Sequence, residues 1–295
     1  MKVSADGWRM MFVLVALAHA ATAFPVDAQN GGAVNCPAYV RVSCGKQIRH
    51  KNGAVTQRYH LCTDNPAGLA CDARVECQAF YRFDHGIRPE EIFYQAPIAC
   101  DGGGRHVDIY CSTNATLELI VVGRCGRKGY TSQIVHGLFG KAESTEMVGG
   151  ARAGALPADL PRLHLRSSRH NAYMQTGQTY HFIYHGRDNA KVALSVFEEG
   201  RRLAEPFILG PDDDFAFTPA HDHRLERSGP YALKETVAVV QEETVETRHA
   251  TSFTLLLHRS YTARLRLLPG LLVLCVAVAA SIVMAFAFKR RSWYR

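Results

Sequence analysis

Eight of the nine cysteines in this chain lie in one stretch, between Cys36 and Cys125. They are Cys36, Cys44, Cys62, Cys71, Cys77, Cys100, Cys111 and Cys125. This density is typical of secreted domains that need disulfide bridges, because their small cores bury too little apolar surface to hold the fold alone. A zinc site would instead show paired C-x2-C spacings, and the stretch has none. We therefore predict a disulfide-rich domain over residues 24–148, with its core at residues 33–130.

The first residues have the features of a cleavable signal peptide. Lys2 and Arg9 precede an apolar run from Met10 to Ala18, and small residues follow at Ala21-Thr22-Ala23. The apolar run is shorter than the roughly 20 residues of a membrane-spanning helix. Residues 1–23 are therefore predicted to be a signal peptide that is removed from the mature protein.

A second apolar segment, Leu267 to Phe288, contains no charged residue. As a helix it is long enough to cross the hydrocarbon core of a bilayer, which is about 30 Å thick. Basic residues follow it in the segment 289–295, and basic flanks prefer the cytoplasmic side. These features predict a type I membrane protein with a transmembrane helix at 267–288, in contact with membrane lipid, and a cytoplasmic tail at 289–295.

Within this helix, Ala277, Ser281 and Ala285 recur at four-residue spacing. Small residues at this spacing let transmembrane helices approach each other closely, so these three are a candidate association face. The alternative is incidental composition, because alanine is common in such helices.

Composition changes after Cys125, since no cysteine follows before Cys275. Residues 149–160 are rich in glycine and alanine and contain Pro157, which predicts a linker. Residues 161–262 contain short segments in which apolar residues alternate with polar ones, as at Tyr180, Phe182 and Tyr184. Such alternation predicts an antiparallel, immunoglobulin-like β-sandwich next to the membrane. The predicted fold class is therefore all-β, with a single C-terminal transmembrane helix.

Three segments around the cysteines form a frame that also occurs in a known family. They are Val40 to Ile48, Cys71 to Cys77 and Cys100 to Cys111. They resemble the second-cysteine strand, the C-x5-C loop and the closing strand of galactose/rhamnose-binding lectin domains of the sea-urchin-egg type. The resemblance covers residues 36–111. It implies the pairs Cys36–Cys62, Cys44–Cys111 and Cys71–Cys77, which leaves Cys100 to pair with Cys125.

The sugar-contacting positions that the resemblance implies are mostly changed. Pro37, the segment 52–55 and Ala99 stand where the family has a glutamate, an Asn-Tyr-Gly-Arg turn and an aspartate. Arg105 matches the family's basic residue in charge, so it is the candidate ligand contact. A scaffold used for protein recognition explains this pattern better than sugar binding does.

Asn114-Ala115-Thr116 is an N-x-S/T sequon in a predicted hairpin, so a glycan is expected on Asn114.

The sequence contains no catalytic motif and no phosphate or calcium loop, so we predict no enzymatic activity, no cofactor and no metal site. His221-Asp222-His223 is either a chelating pair or a solvated loop. His181 and His185 are expected on the solvent side of a strand, and the basic run from Arg162 to His170 either meets anionic groups or forms a solvated edge.

The net charge of +7 comes mostly from the two ends of the chain, and no basic stripe contains interleaved aromatic residues. Nucleic acid is therefore not an expected partner. We predict a membrane glycoprotein whose ectodomain binds an extracellular protein or glycan, in adhesion, as a receptor, or as a viral envelope or immune-modulating protein. Its N-terminus would lie outside the plasma membrane, another secretory-pathway membrane or a virion envelope. The alternatives are a carbohydrate-binding lectin and an accessory membrane protein of the endoplasmic reticulum or secretory pathway.

Overall fold

The computed structural model describes most of the chain from Cys36 onward. The described residues are 36–63, 75–84, 92–102, 104–141, 152–157, 159–166, 174–186, 190–198, 201–203, 206–209, 213–227, 232–245, 247–259 and 267–292. The predicted signal peptide, Cys71 and the last three residues of the predicted tail lie outside these ranges.

The described residues are mostly strands, which confirms the predicted all-β class. The strands of the first half are β1 (Val40–Arg49), β2 (Val55–Thr63), β3 (Glu76–Asp84), β4 (Phe93–Ala96), β5 (Ala99–Asp101), β6 (Gly104–Cys111), β7 (Asn114–Cys125) and β8 (Lys128–Phe139). Those of the second half are β9 (Arg152–Gly154), β10 (Arg162–Arg166), β11 (Met174–Gln175), β12 (Tyr180–His185), β13 (Lys191–Glu198), β14 (Arg201–Arg202), β15 (Phe207–Leu209), β16 (Asp214–Phe217), β17 (Lys234–Glu243) and β18 (Arg248–His258). The helices are α1 (His223–Arg227) and α2 (Leu267–Ser292).

The strands form three sheets. The front sheet has the order β1-β2-β6-β5, and the back sheet has the order β10-β12-β16. The central sheet has the order β14-β13-β17-β18-β8-β7-β3-β4-β9, with β15 on β13 and β11 on β18.

The central sheet is buried on both faces around β17. Val237 and Val239 belong to the core that also contains residues of the front sheet, such as Val40. Ala238 and Val240 belong to the core that also contains Phe182 of the back sheet. Because neighbouring strand residues point to opposite faces, β17 lies between two apolar layers.

β18 pairs with β8 in parallel, from Arg248 opposite Lys128 to Thr254 opposite Ile134. The two predicted domains therefore share one sheet, and the chain from Cys36 onward is one compact unit. The prediction of separate domains divided at 149–160 is wrong in this respect. Part of that predicted linker is β9, which pairs with β4 at the end of the central sheet. The sequence did not indicate the shared sheet, because β18, which pairs with β8 of the first half, is the last strand in the chain.

Hydroxyl side chains fill the contact between the front sheet and the β8–β18 pair. Ser132 and Ser252 are fully buried and hydrogen-bonded to each other at 2.9 Å. The Ser132 hydroxyl also accepts the backbone N–H of Val42 at 2.8 Å, and Thr254 donates to the carbonyl of Val42 at 2.6 Å. These bonds satisfy polar groups that would otherwise be costly to bury.

The predicted disulfide pairs are wrong. Cys36 is bonded to Cys125, with a Cα–Cα distance of 5.9 Å. Cys44, Cys62, Cys77 and Cys111 are free thiols, and Cys100 is in a second disulfide. These assignments exclude Cys36–Cys62, Cys44–Cys111, Cys71–Cys77 and Cys100–Cys125.

The Cys44–Cys111 pair illustrates why the disulfide pairs implied by the family resemblance are wrong. Cys44 lies on β1 and Cys111 on β6, and β2 runs between them. Two strand spacings separate their Cα atoms by more than about 9 Å, which exceeds the roughly 7 Å that a disulfide spans.

Helix α2 contains 26 residues and includes the predicted membrane segment. Its described large apolar side chains are at least half exposed, from Leu271 at 58% to Met284 at 61%. Among the residues that the structure describes, no helix is both long enough and apolar enough to cross a membrane. The membrane span therefore stays a prediction.

Candidate binding site at the junction of the sheets

A cavity of about 390 Å³ lies where β1 of the front sheet, β13 and β17 of the central sheet, and helix α1 meet. We call it the junction pocket. Its apolar wall consists of Tyr39, Phe197, Leu225, Ala232, Leu233 and Val237. Its charged side chains are Arg41, Asp222, Arg224, Lys234 and Glu235.

The apolar wall joins residues that are far apart in sequence. Tyr39 precedes β1 and its ring lies 5.2 Å from that of Phe197 on β13. Val237 and Leu225 are almost fully buried beneath the opening. The pocket exists only because the front and central sheets pack against each other.

Asp222 and Lys234 form one side of the rim. The Lys234 ammonium donates to Asp222 Oδ2 at 2.5 Å and also contacts Glu198. The other oxygen of Asp222 accepts the backbone N–H groups of Arg224 at 2.8 Å and Leu225 at 3.2 Å. Asp222 is therefore the N-cap of α1 and holds that helix beside the pocket.

These contacts shift both ionisation equilibria. The hydrogen bond from Lys234 lowers the pKa of Asp222, despite the opposing effect of burial. Burial lowers the pKa of Lys234, but its hydrogen bonds to Asp222 and Glu198 outweigh that effect and raise the pKa overall. Both groups are consequently charged at neutral pH.

Glu235 forms the opposite side of the rim and connects two sheets. Its carboxylate accepts Arg41 Nη1 at 3.0 Å, the Ser43 hydroxyl at 2.8 and 2.9 Å, and the backbone N–H of Cys44 at 2.6 Å. Three donors on β1 thus meet one acceptor on β17. Charge-assisted bonds of this kind hold the pocket walls in a fixed geometry.

Arg105, the predicted ligand contact, lies elsewhere. Its guanidinium donates to the carbonyl of Val75, which precedes β3. Burial raises the pKa of the nearby Cys77 thiol, and Arg105 partly offsets that rise. Arg105 does not line the junction pocket, and its role in ligand binding stays a prediction.

The histidine pairs lie in two different parts of the fold. His181 and His185 are exposed on β12, as expected, while Tyr180, Phe182 and Tyr184 are buried. His223 begins α1, so the segment around Asp222 is a helix cap rather than an unstructured loop. Within the described part of the chain, no three His, Cys, Asp or Glu residues are grouped so as to hold a metal ion.

The basic run that starts at Arg162 forms β10, which pairs with β12 in the back sheet. Arg166 lies 3.6 Å from Asp214, so part of its charge is paired. The end of this run, residues 167–170, lies outside the described residues.

Asn114 is exposed at the first position of β7 and pairs with Phe139 of β8. The chain passes there from the front sheet to the central sheet, so the predicted hairpin is wrong. Exposure suits a glycan acceptor.

In helix α2, the Ser281 hydroxyl donates to the carbonyl of Ala277 at 2.8 Å, so these two residues share a face. The side chain of Ala285 lies outside the description.

Sequence reasoning missed two clusters in the front sheet. On its outer face, Arg58 binds both oxygens of Asp108 at 2.9 Å and Asp101 at 3.2 Å. The hydrogen bond from Arg58 lowers the pKa of Asp108. Arg58 lies on β2, whereas Asp101 and Asp108 lie on β5 and β6. Because these strands are distant in sequence, no linear motif identifies the cluster.

On the inner face, Tyr59 Oη lies 2.9 Å from His136 Nδ1, and Cys44 Sγ lies 3.8 Å from the same nitrogen. Burial, followed by the charge of His258, lowers the pKa of His136 to about 4. Burial and then Glu235 raise the pKa of Cys44 to about 12. This thiol is therefore protonated and a poor nucleophile at neutral pH.

No family model matches the chain, and no curated protein is similar to it. Among solved structures, it is similar to a chimeric titin Z1Z2-Z1Z2 tandem (Z1212) functionalized with a GRGDS exogenous peptide from fibronectin. The sequence identity is 10%, the match covers 74% of this chain and 99% of that chain, and the TM-score is 0.20. A similarity at this score carries no argument, so the fold class rests on the strands themselves.

Proposed function

We propose that this chain is a type I single-pass membrane glycoprotein whose extracellular β-structure binds a macromolecular partner. The observation that carries the proposal is the junction pocket, an opening with an apolar wall and a charged rim. At protein interfaces, the side chains that contribute most to binding are buried in well-packed, desolvated pockets.

The rigidity of the pocket supports a binding role. Its rim is held by Glu235, which accepts three donors from β1, and by Asp222, which caps α1. A preformed site loses little conformational entropy when a ligand enters it, so more of the contact energy is available for affinity.

The membrane part of the proposal rests on three features. Leu267 to Phe288 is uncharged and is followed by basic residues. The apolar side chains of α2 from Leu271 to Met284 are exposed, and lipid is a solvent in which such exposure is favourable. The exposed Asn114 suits glycosylation in the secretory pathway.

The test of topology uses the full-length chain with an epitope tag inserted before Phe24. We expect the tag to be labelled on intact cells. We also expect an endoglycosidase-sensitive mass that is lost in Asn114→Gln and kept in Thr116→Ser, which preserves the sequon. Labelling only after permeabilisation would instead support the accessory role inside the secretory pathway.

The test of binding uses the same cells, mixed with unlabelled cells and, separately, exposed to a glycan array. We expect saturable adhesion to cells and no sugar-specific binding. Galactose or rhamnose binding that is lost in Arg105→Ala would support the lectin alternative. Binding to neither cells nor sugars would refute the proposed function.

A further inference from the structure

We propose that His164 and His185, on neighbouring strands of the back sheet, form a binding site for a divalent transition metal ion such as Zn²⁺ or Cu²⁺. This site is separate from the partner-binding role proposed above, and neither depends on the other. Three observations lead to it: the positions of the two histidines on their strands, the separation of their rings, and the protonation state of His164.

The two histidines are diagonal neighbours across an antiparallel strand pair. β10 pairs with β12 so that His164 is opposite Ile183 and Arg162 is opposite His185. Diagonal neighbours of this kind are close enough for long and aromatic side chains to meet. Both histidines are exposed, so water can complete the coordination of a metal ion that they bind.

The separation of the two rings fits one metal ion between them. Their centroids are 5.0 Å apart, with an angle of 73° between the ring planes. A histidine nitrogen lies about 2.0–2.1 Å from Zn²⁺, and the ring centroid lies about 1.1 Å behind that nitrogen. Two imidazoles that bind one ion at an angle of about 90–110° therefore have centroids about 4.4–5.2 Å apart. The strands already hold the rings at this distance, so side-chain rotation alone can bring one nitrogen of each ring to a shared ion.

His164 is in the protonation state that metal binding requires. Burial, followed by the charge of His185, lowers the pKa of His164, so its ring is neutral at neutral pH and has a lone pair for a metal ion. Arg162 and Arg82 also act on this ring and oppose a bound cation, whereas Glu118 favours one. Because Arg82 and Glu118 form an ion pair at 2.6 Å, their effects largely cancel and Arg162 is the main opposing charge.

The ligand chemistry selects the class of ion. Neutral imidazole nitrogens suit zinc, copper and nickel, whereas Mg²⁺ and Ca²⁺ are bound through oxygen ligands. Cu²⁺ should bind more tightly than Zn²⁺, as it does at nitrogen sites in general. Sequence motifs predicted no metal site, because the two histidines become neighbours only when β10 pairs with β12.

The experiment is isothermal titration calorimetry of the full-length chain, purified without a histidine tag and kept in detergent micelles. The probes are ZnCl₂ and CuCl₂, and the matched controls are MgCl₂ and CaCl₂. We expect saturable binding of both probes, tighter for Cu²⁺, and no binding of Mg²⁺ or Ca²⁺. The electron paramagnetic resonance spectrum of bound Cu²⁺ should show coupling to two nitrogen nuclei, which tests the site without any substitution.

Two variants and one control locate the binding. His164→Gln and His185→Gln each remove one ligand and should weaken both metals at least about tenfold, since loss of even an indirect contact to a metal site costs about 10–100-fold in affinity. His50→Gln makes the same change at an exposed histidine next to β1 and should bind as the wild type does. Added Zn²⁺ should raise the Tm of the wild type and of His50→Gln, and it should raise the Tm of the two ligand variants less.

Four outcomes would overturn the proposal. They are no saturable binding of either Zn²⁺ or Cu²⁺, unchanged binding in His164→Gln or in His185→Gln, equal weakening in His50→Gln, and coupling of bound Cu²⁺ to fewer than two nitrogen nuclei. Thermal unfolding without metal shows that each variant is folded before its affinity is compared. The nitrogen coupling of the wild type decides the question if a ligand variant does not fold.

Discussion

The hydroxyl of Ser252 donates a hydrogen bond of 2.6 Å to the backbone carbonyl of Val40, a residue 212 positions earlier in the chain. Ser252 lies on β18 of the central sheet, and Val40 begins β1 of the front sheet. The first and the last strand of the described chain are thus in direct contact inside the molecule. This contact belongs to the same buried layer as Ser132 and Thr254, which bond to both polar groups of Val42.

Replacing Ser252 with alanine should destabilise the whole β-structure. The change leaves the buried carbonyl of Val40 without this donor, which costs about 1–3 kcal/mol of unfolding free energy. Chemical denaturation monitored by fluorescence measures it, and the transition should stay single because both halves share one sheet. Ser195→Ala on the partly exposed part of β13 is the control, with an expected change below about 0.5 kcal/mol. Separate unfolding of the two halves would contradict the shared sheet.

His136 should make the fold sensitive to acid. Its folded pKa of about 4 lies below the unfolded value of 6.5, so the folded state prefers the neutral ring. The stabilisation that comes from keeping this ring neutral is fully present above pH 6.5. It is lost as the pH drops towards 4, which lowers the free energy of unfolding by on the order of 3 kcal/mol.

The measurement is the unfolding free energy of wild type and His136→Gln between pH 4 and pH 7. The wild type should lose more stability on acidification than the variant does, because glutamine does not titrate. Equal slopes in the two proteins would show that His136 does not resist protonation.

The Cys36–Cys125 disulfide should stabilise the fold strongly, because it closes a long loop in the unfolded chain. The double change Cys36→Ser and Cys125→Ser should cost about 2–5 kcal/mol. Peptide mapping after alkylation should also find the thiols of Cys44, Cys62, Cys77 and Cys111 modified only as free cysteines. Single Cys62→Ser is the control, since it breaks no bridge. A bridge between any two of those four would contradict the assignment.

Asp222 should hold the pocket through two separate contacts. Asp222→Ala removes both the cap of α1 and the partner of Lys234, at a cost of about 1–2 kcal/mol from the cap. Asp222→Asn keeps a capping oxygen and removes only the charge, so it should cost less. Thermal unfolding of the three proteins at one pH gives the order. A larger loss in Asp222→Asn than in Asp222→Ala would show that the cap does not form.

The sequence predicted those strands in which only one face is buried. β12 alternates cleanly, with Phe182 inside and His181 outside, because its outer face meets solvent. β17 does not alternate, since Val237 to Val240 are all buried between two sheets. The apolar residues of β17 therefore indicated a strand. They did not indicate that a sheet packs on each of its two faces.

The candidate site was not predictable from any local pattern. Tyr39, Phe197 and Leu225 come from three distant parts of the chain, and no spacing along the chain indicates that they line one pocket. The disulfide assignment failed for a related reason. Spacing orders the cysteines along the chain, whereas the bridge depends on which strands become neighbours.

The parallel pairing of β18 with β8 also determines how the molecule bears mechanical load. β18 is the last strand before α2, and it lies in the interior of the central sheet between β17 and β8. Tension applied through α2 runs along β18 and strains its hydrogen bonds to both neighbours together, in shear. A pull from the C-terminal end is therefore resisted by hydrogen bonds on both sides of an interior strand.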